Sequence, residues 1–178
     1  MKKVVLTSSI LVIALLAVLV ASTAFAHDDN GKGGKARLNG WEEVPSISTT
    51  GKGSFRARVR SDGIHYVLRY EGLETPALFA HIHFADKDVN GGVIAFLCGG
   101  GDKPPCPASA GTVEGVIDAA DVVGPAAQGI EPGSLTEALR ALRRGLVYAN
   151  VHSQRWTGGE IRGQVGNNGH HRKNGDRK

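Results

Sequence analysis

At 178 residues, 41% of them hydrophobic and 21% charged, the chain fits one domain. Its formal charge of +4 falls to +2 once Lys2 and Lys3 leave with the N-terminal segment, because no acidic residue precedes His27. Bulk charge therefore does not mark a nucleic-acid binder, and no internal repeat is evident.

The chain opens on Met1-Lys2-Lys3, runs through an apolar stretch at 4–20 and reaches Ala24-Phe25-Ala26, the small-x-small pattern of a signal-peptidase site. This predicts a secretory signal over 1–26, cut before His27. A run of about 18 apolar residues could instead stay in the bilayer as an anchor; the small residues at 24 and 26 favour cleavage. HDDNGKGGK, residues 27–35, reads as a flexible leader, and 36–165 has the pattern of a packed domain.

KGSFRARVR alternates Phe55, Ala57 and Val59 with Arg56, Arg58 and Arg60, the period of a strand with one wet face. Ser61-Asp62-Gly63 turns the chain, and IHYVLRY continues with Ile64, Tyr66, Leu68 and Tyr70 on one side, so a hairpin is expected. LFAHIHFA, GVIAFLC, TVEGVID, LVYANVH and EIRGQV are further strands, separated by glycine, proline and aspartate clusters. SLTEALRALRRG breaks the rhythm. Ser134 stands as N-cap with Glu137 three residues on, Leu135, Leu139 and Leu142 recur at helical spacing, and Gly145 follows Arg143 and Arg144 as the stop. The expected fold is mainly β, an antiparallel Greek-key-like β-sandwich with one short helix at about 134–144 covering an open end or face. GNNGHHRKNGDRK, residues 166–178, lacks apolar side chains and reads as a disordered basic tail. It could touch anionic surfaces, although a solvated tail is the plainer reading.

An exported chain sits where disulfides persist. Cys98 and Cys106 bracket GGGDKPP, so a disulfide clip across a tight loop is expected; two free thiols are the alternative, and a metal site has no CxxC spacing or nearby histidine to support it.

In AHIHFAD, alternation puts Leu78, Ala80, Ile82 and Phe84 on the core side and His81 with His83 on the other. In LVYANVHS, Val147, Ala149 and Val151 turn inward, leaving Tyr148, Asn150 and His152 outside, and His65 also falls on the non-core face of its strand. Two imidazoles at i and i+2 can share a metal ion. His152, with His65 as a further candidate, would complete a copper or zinc site. The plainer alternative is histidines held by hydrogen bonds at the surface or half-buried. Glu160 and Arg162 share a strand face, where they form a surface ion pair or, as Asn150 could also do, orient a ligating histidine. Asp86 with Asp88, and His27-Asp28-Asp29, lack an organised loop, so solvated charge is the default. No nucleophile elbow or phosphate loop is present.

Three stretches, LNGWEEVPSISTTGKG, AHIHFAD and YANVHSQRWTGGEIRGQV, together resemble the CHRD domain, named from its repeats in chordin and found singly in secreted microbial proteins. The resemblance covers about 36–165. It implies a β-sandwich in an extracellular protein, and no settled reaction for single-domain microbial members. By it, Glu43, Val44 and Pro45, His81 and His83, Asn150 and His152, and Glu160, Arg162 and Gly163 occupy signature positions. Chordin's growth-factor antagonism does not carry over, because this chain lacks the cysteine-rich modules that accompany the domain there. Copper-zinc superoxide dismutases also carry an H-x-H pair on the outer face of a Greek-key sandwich. That likeness stops at the motif: no histidine lies between His83 and His152, where the dismutase pattern needs a zinc loop.

The expected function is therefore a secreted, non-enzymatic module that binds an extracellular protein, matrix or surface partner, without specific nucleic acid and without a membrane once the signal is gone. The alternative is a copper- or zinc-binding protein with a dismutase-like redox or copper-handling role.

Overall fold

The computed structural model describes residues 33–167; the expected signal, the leader up to residue 32 and the tail from 168 lie outside the described residues. The strands are β1 (Gly33–Asn39), β2 (Lys52–Arg60), β3 (Gly63–Glu71), β4 (Ala77–Phe84), β5 (Gly92–Cys98) and β6 (Gly111–Ile117), followed after the helix α1 (Leu135–Arg144) by β7 (Val147–Ser153), β8 (Ile161–Gln164) and the short β9 (Gly166–Asn167). All pairs are antiparallel, and they join in one sheet of order β5-β4-β7-β8-β1-β2-β3-β6, with β9 against β1. The sheet curls until its end strands approach each other, so the mainly β, antiparallel fold takes a nearly barrel-like form.

Alternation builds the core. Phe55, Ala57 and Val59 of β2, Ile64, Tyr66, Leu68 and Tyr70 of β3, and Val147, Ala149 and Val151 of β7 are all buried in it. The Tyr66 hydroxyl donates to the Leu97 carbonyl at 2.7 Å, tying β3 to β5 across the interior. Gly163 marks where β8 meets β1 at close quarters, for a Cβ there would stand 2.1 Å from the Arg37 carbonyl oxygen.

The strands take in more chain than composition indicates. Gly33, Gly34 and Lys35, read above as leader, belong to β1, and Gly166 and Asn167, read as tail, form β9. Gly34 and Lys35 pair with Ala57 and Arg56 on one side and with Asn167 and Gly166 on the other, so a polar, glycine-rich stretch is held by its backbone.

The helix forms where expected but starts differently. Ser134 makes no side-chain cap, because its backbone (φ −83°, ψ 67°) is not in the extended cap conformation, and Glu137 pairs with Arg140 instead of reaching back. Its other end follows the pattern: Gly145 is left-handed (φ 73°), with Gly145 N–H donating to Leu142 and Leu146 N–H to Ala141. Ala138, Ala141 and Leu142 bury against the barrel, with Leu135 and Leu139 partly covered beside them.

Cys98 and Cys106 form a disulfide across a separation of 8 residues. Within its loop, Gly99 N–H donates to the Pro104 carbonyl at 2.8 Å, and Lys103 pairs with Asp121 at 2.6 Å while donating to the Val116 carbonyl of β6. Closing so short a loop limits the entropy removed from the unfolded chain. The double change Cys98→Ser with Cys106→Ser should lower stability by about 2–3 kcal/mol without changing the strand signature in circular dichroism. Urea unfolding at fixed pH measures it; a loss near zero would mean the hydrogen-bonded loop holds itself.

Candidate metal centre

Register brings the histidines together. On the face of the sheet turned away from the core, β4 and β7 set His81 opposite Asn150, His83 opposite Tyr148 and Phe79 opposite His152. One strand further, Asn150 faces Arg162 and Tyr148 faces Gln164 of β8, while on the other flank His81 is opposite Phe96 of β5. This side chain direction agrees with strand alternation. The exposure does not: His81, His83 and His152 are only 5%, 7% and 7% accessible, not surface or half-buried.

Neighbouring loops and rings account for the burial. Arg162, itself 2% exposed, donates to Asn90 Oδ1 at 3.0 Å and to the Val89 carbonyl at 2.7 Å, drawing the loop after β4 over this face. Asn90 in turn donates to the Val44 carbonyl at 2.9 Å, tying that loop to the segment carrying Glu43. The Arg162 guanidinium lies 3.5 Å above the Tyr148 ring, Tyr148 stacks on His83 at 4.6 Å, and Phe79 and Phe96 flank His81 at 5.0 and 4.5 Å.

Hydrogen bonds assign the tautomers. His83 Nδ1–H donates to the Gly91 carbonyl and His152 Nδ1–H to the Thr157 carbonyl, each at 2.9 Å, so in the neutral rings both Nε2 atoms carry lone pairs. His152 Nε2 then accepts from His81 Nδ1 at 3.2 Å, whereas His83 Nε2 is buried with no hydrogen-bond partner. One nitrogen from each ring lies within 4.8 Å of the others. A common point therefore sits within about 2.8 Å of all three, and drawing in by less than an ångström reaches metal–nitrogen distances of about 2.0–2.1 Å.

Burial also keeps these rings neutral. It pulls His81 down from 6.5 to about 3, with the other two histidines adding to the effect, and His83 to about 4 against the opposing pull of the Gly91 carbonyl. His152 is lowered by burial as well. Glu43 moves the opposite way: burial raises its carboxyl from 4.5 to about 7 despite the nearby Arg162 charge. It is packed against Gly159, where a Cβ would meet Glu43 Oε1 at 2.5 Å, and the left-handed backbone there (φ 129°) suits glycine.

Other sequence candidates fall elsewhere. His65 is on β3, separated from β4 in the sheet by β7, β8, β1 and β2, and it bonds Asp62 at 2.8 Å, so it is not part of the cluster. Glu160 and Arg162 do not pair with each other through hydrogen bonds. Glu160 Oε1 accepts from Thr49 Oγ1 at 2.7 Å and from Glu74 N–H at 2.9 Å, pinning two loops, while Arg162 turns to the loop after β4. Asn150 is buried between His81 and Arg162 with Oδ1 unbonded. Among the described residues, the three histidines form the one group that could hold a metal ion; Asp86 and Asp88 are exposed, and His27-Asp28-Asp29 lies outside them. Sequence reading did not find Tyr148, Phe79 and Phe96 as the wall of the site, nor the Gly91 and Thr157 carbonyls. The aromatic wall follows from the strand register, but a carbonyl leaves no trace in residue identity.

A comparison with known protein families matches residues 35–165 to the CHRD domain. The chain belongs to the CHRD domain family. No curated protein and no solved structure is similar enough to count as a match. Among the described residues of this CHRD chain, no helix is long and apolar enough to cross a membrane.

Acid should destabilise the domain in a window set by these shifts. Between about pH 6.5 and pH 4 the unfolded chain takes up histidine protons that the folded state refuses, so stability falls as pH falls. Glu43 opposes this between 4.5 and 7, because there the folded state holds the proton; one carboxyl is outnumbered by three imidazoles. Urea midpoints at pH 7, 6, 5 and 4 should decline steadily, and more steeply in Glu43→Gln. A flat profile would show that the rings titrate as exposed histidines do.

Arg162→Lys should cost about 2–3 kcal/mol, since an ammonium keeps the charge but loses the forked hydrogen bonds and the stack on Tyr148. Faster water exchange of the His83 Nδ1 proton, read by NMR, should accompany the loss; an unchanged rate would disconnect Arg162 from the histidine.

Proposed function

We propose that this CHRD domain works outside the cell as a binding module for one transition-metal ion, held by His83 Nε2, His152 Nε2 and, once its proton has moved to Nε2, His81 Nδ1, with copper preferred to zinc. The observation that carries this reading is His83 Nε2. Its ring is locked at the other nitrogen by Gly91, it is buried beside two more imidazoles, and it makes no close hydrogen bond, the Asn150 side chain acting on the ring only weakly. A buried acceptor left unbonded costs free energy, which an ion would offset.

The donor set favours a borderline transition metal, because all three ligands are imidazoles, and the usual order of affinities puts copper above zinc. The Gly91 and Thr157 carbonyls would orient His83 and His152, as groups behind a ligand do. When bound, copper supplies one-electron redox chemistry. The chain's part is to present neutral rings and to exclude water with Phe79, Phe96 and Tyr148. Burial of all three rings supports holding and handling the ion ahead of turnover, which needs a position open to substrate. The domain thus remains the non-enzymatic module that the sequence favours, with its alternative ligand as cargo.

The extracellular setting rests on the family, whose domain is typically extracellular, and on the signal expected over 1–26 ahead of the leader at 27–35. In this reading the tail at 166–178 takes no part in holding the ion.

Calorimetric titration of the chelator-treated protein with copper and with zinc tests the proposal. One equivalent of copper should bind with sub-micromolar affinity and more tightly than zinc, and the nitrogen splitting in the copper EPR spectrum should report imidazole ligands. His83→Ala should weaken copper at least a hundredfold, while His65→Ala should not. Millimolar affinity, or no change in His83→Ala, would sink the idea.

A further inference from the structure

The opposite part of the sheet carries a different surface. On the outward face of β1, β2 and β3 stand Lys35, Arg37, Arg56, Arg58, Arg60 and Arg69, all exposed. None of the six forms an ion pair or a side-chain hydrogen bond among the described residues. The neighbouring Lys52, by contrast, pairs with Glu71 at 3.1 Å. Register sets Lys35 directly opposite Arg56, a like-charge juxtaposition that works against the pairing of β1 with β2. Apart from the attraction between Arg60 and the exposed Asp62 carboxylate, folding gains little from this arrangement, so an outside counter-charge is the natural reason to keep it.

The surface is also shaped. A shallow groove of about 510 Å³ is lined by Arg56, Arg58, Arg60 and Arg69, with Glu114 as its acidic member. A second, of about 720 Å³, contains Arg37, Lys52 and again Arg69. Arg69 lines both, so they adjoin along a track that follows β2 for roughly 27 Å at about 3.3 Å per residue. Gly115 lines the first groove with its backbone, while the space left by its missing Cβ lies on the core side, against the Tyr66 hydroxyl.

We propose that this face is a docking track for a linear anionic polysaccharide, whose carboxylates or sulfates meet the row of guanidinium groups. Arginine dominates the set, and its planar fork matches such oxyanions with paired hydrogen bonds. The wall offers one outward ring, His65, which is held by Asp62, and no row of aromatic side chains on which successive bases could stack, as single-stranded nucleic acid requires. The outward side chains of β2 are serine, arginine and lysine, without the large apolar anchors that seat a protein in a lipid surface. Extended polyanions are the extracellular ligands that such a straight, polar track fits.

The test is salt-gradient elution of the full chain from immobilised heparin and from immobilised polygalacturonate, the first carrying sulfates and carboxylates, the second carboxylates alone. The wild-type protein should be retained on at least one and released by salt. The triple change Arg56→Gln, Arg58→Gln and Arg60→Gln should weaken solution affinity for that polymer at least tenfold, with the urea midpoint not lowered, because these side chains are exposed and Arg56→Gln relieves its repulsion with Lys35. Deleting residues 168–178 should leave most of the binding in place. Loss of binding on that deletion, full retention by the triple variant, or preference for duplex DNA or phosphatidylglycerol vesicles over both polysaccharides would overturn the proposal.

Discussion

The site depends on one register, that of β4 against β7 and of β7 against β8. Because side chains alternate, a slip of one residue in β7 would bring Tyr148, Asn150 and His152 into the core and expel Val147, Ala149 and Val151. The apolar set is buried without exception, so the hydrophobic effect that closes the barrel also places the three imidazoles side by side. The cluster is thus the reverse side of the core packing, and any change that weakens the inner face loosens the outer one.

Arg162 turns that row into an interior. A guanidinium on a residue only 2% exposed needs hydrogen bonds, and it finds them in Asn90 and the Val89 carbonyl, which obliges the loop after β4 to lie over the sheet. The same loop presents the Gly91 carbonyl to His83. The signature pair Glu43 and Val44 enters the argument here, one as the nearby carboxyl that feels the Arg162 charge, the other as the carbonyl that receives Asn90. A buried network of this kind is costly when incomplete, and the unbonded Glu43 Oε1, Asn150 Oδ1 and His83 Nε2 are where it is incomplete.

Much of this was legible in the residues. Period-two runs named the strands, the Leu135 to Leu142 spacing located the helix, and the GGGDKPP loop announced the disulfide. Alternation also gave the common face of His81 and His83, and of His152 on its own strand, although only pairing could say that the two strands touch. What stayed hidden has physical reasons. Burial of an outward face depends on loops whose path is set by Arg162, and a residue's own strand pattern does not report what lies over it. His65 obeyed the same alternation and ended in another place, because alternation fixes a face and not a neighbour. Backbone pairing also reaches past the stretch that composition marks as the domain: Gly33 to Lys35 and Gly166 with Asn167 are held by their ladders, to which composition is blind.

Arg162 and Arg37 show how little residue type decides alone. Asn39 of β1 pairs with Arg162 of β8, and Arg37 lies two residues along from Asn39 on the same outward face. One arginine is enclosed and satisfied by carbonyls, and the other is open to solvent with no partner among the described residues. The difference is the loop after β4, which bonds Arg162 and Gln164 of β8 and makes no such bond to Arg37. One sheet therefore carries two outer surfaces of opposite character, a closed one of neutral imidazoles on β4 and β7 and an open cationic one on β1, β2 and β3. They share the core behind them but no side-chain partner. Energetic coupling between such separated groups is small, so ligands at the two surfaces should bind nearly independently.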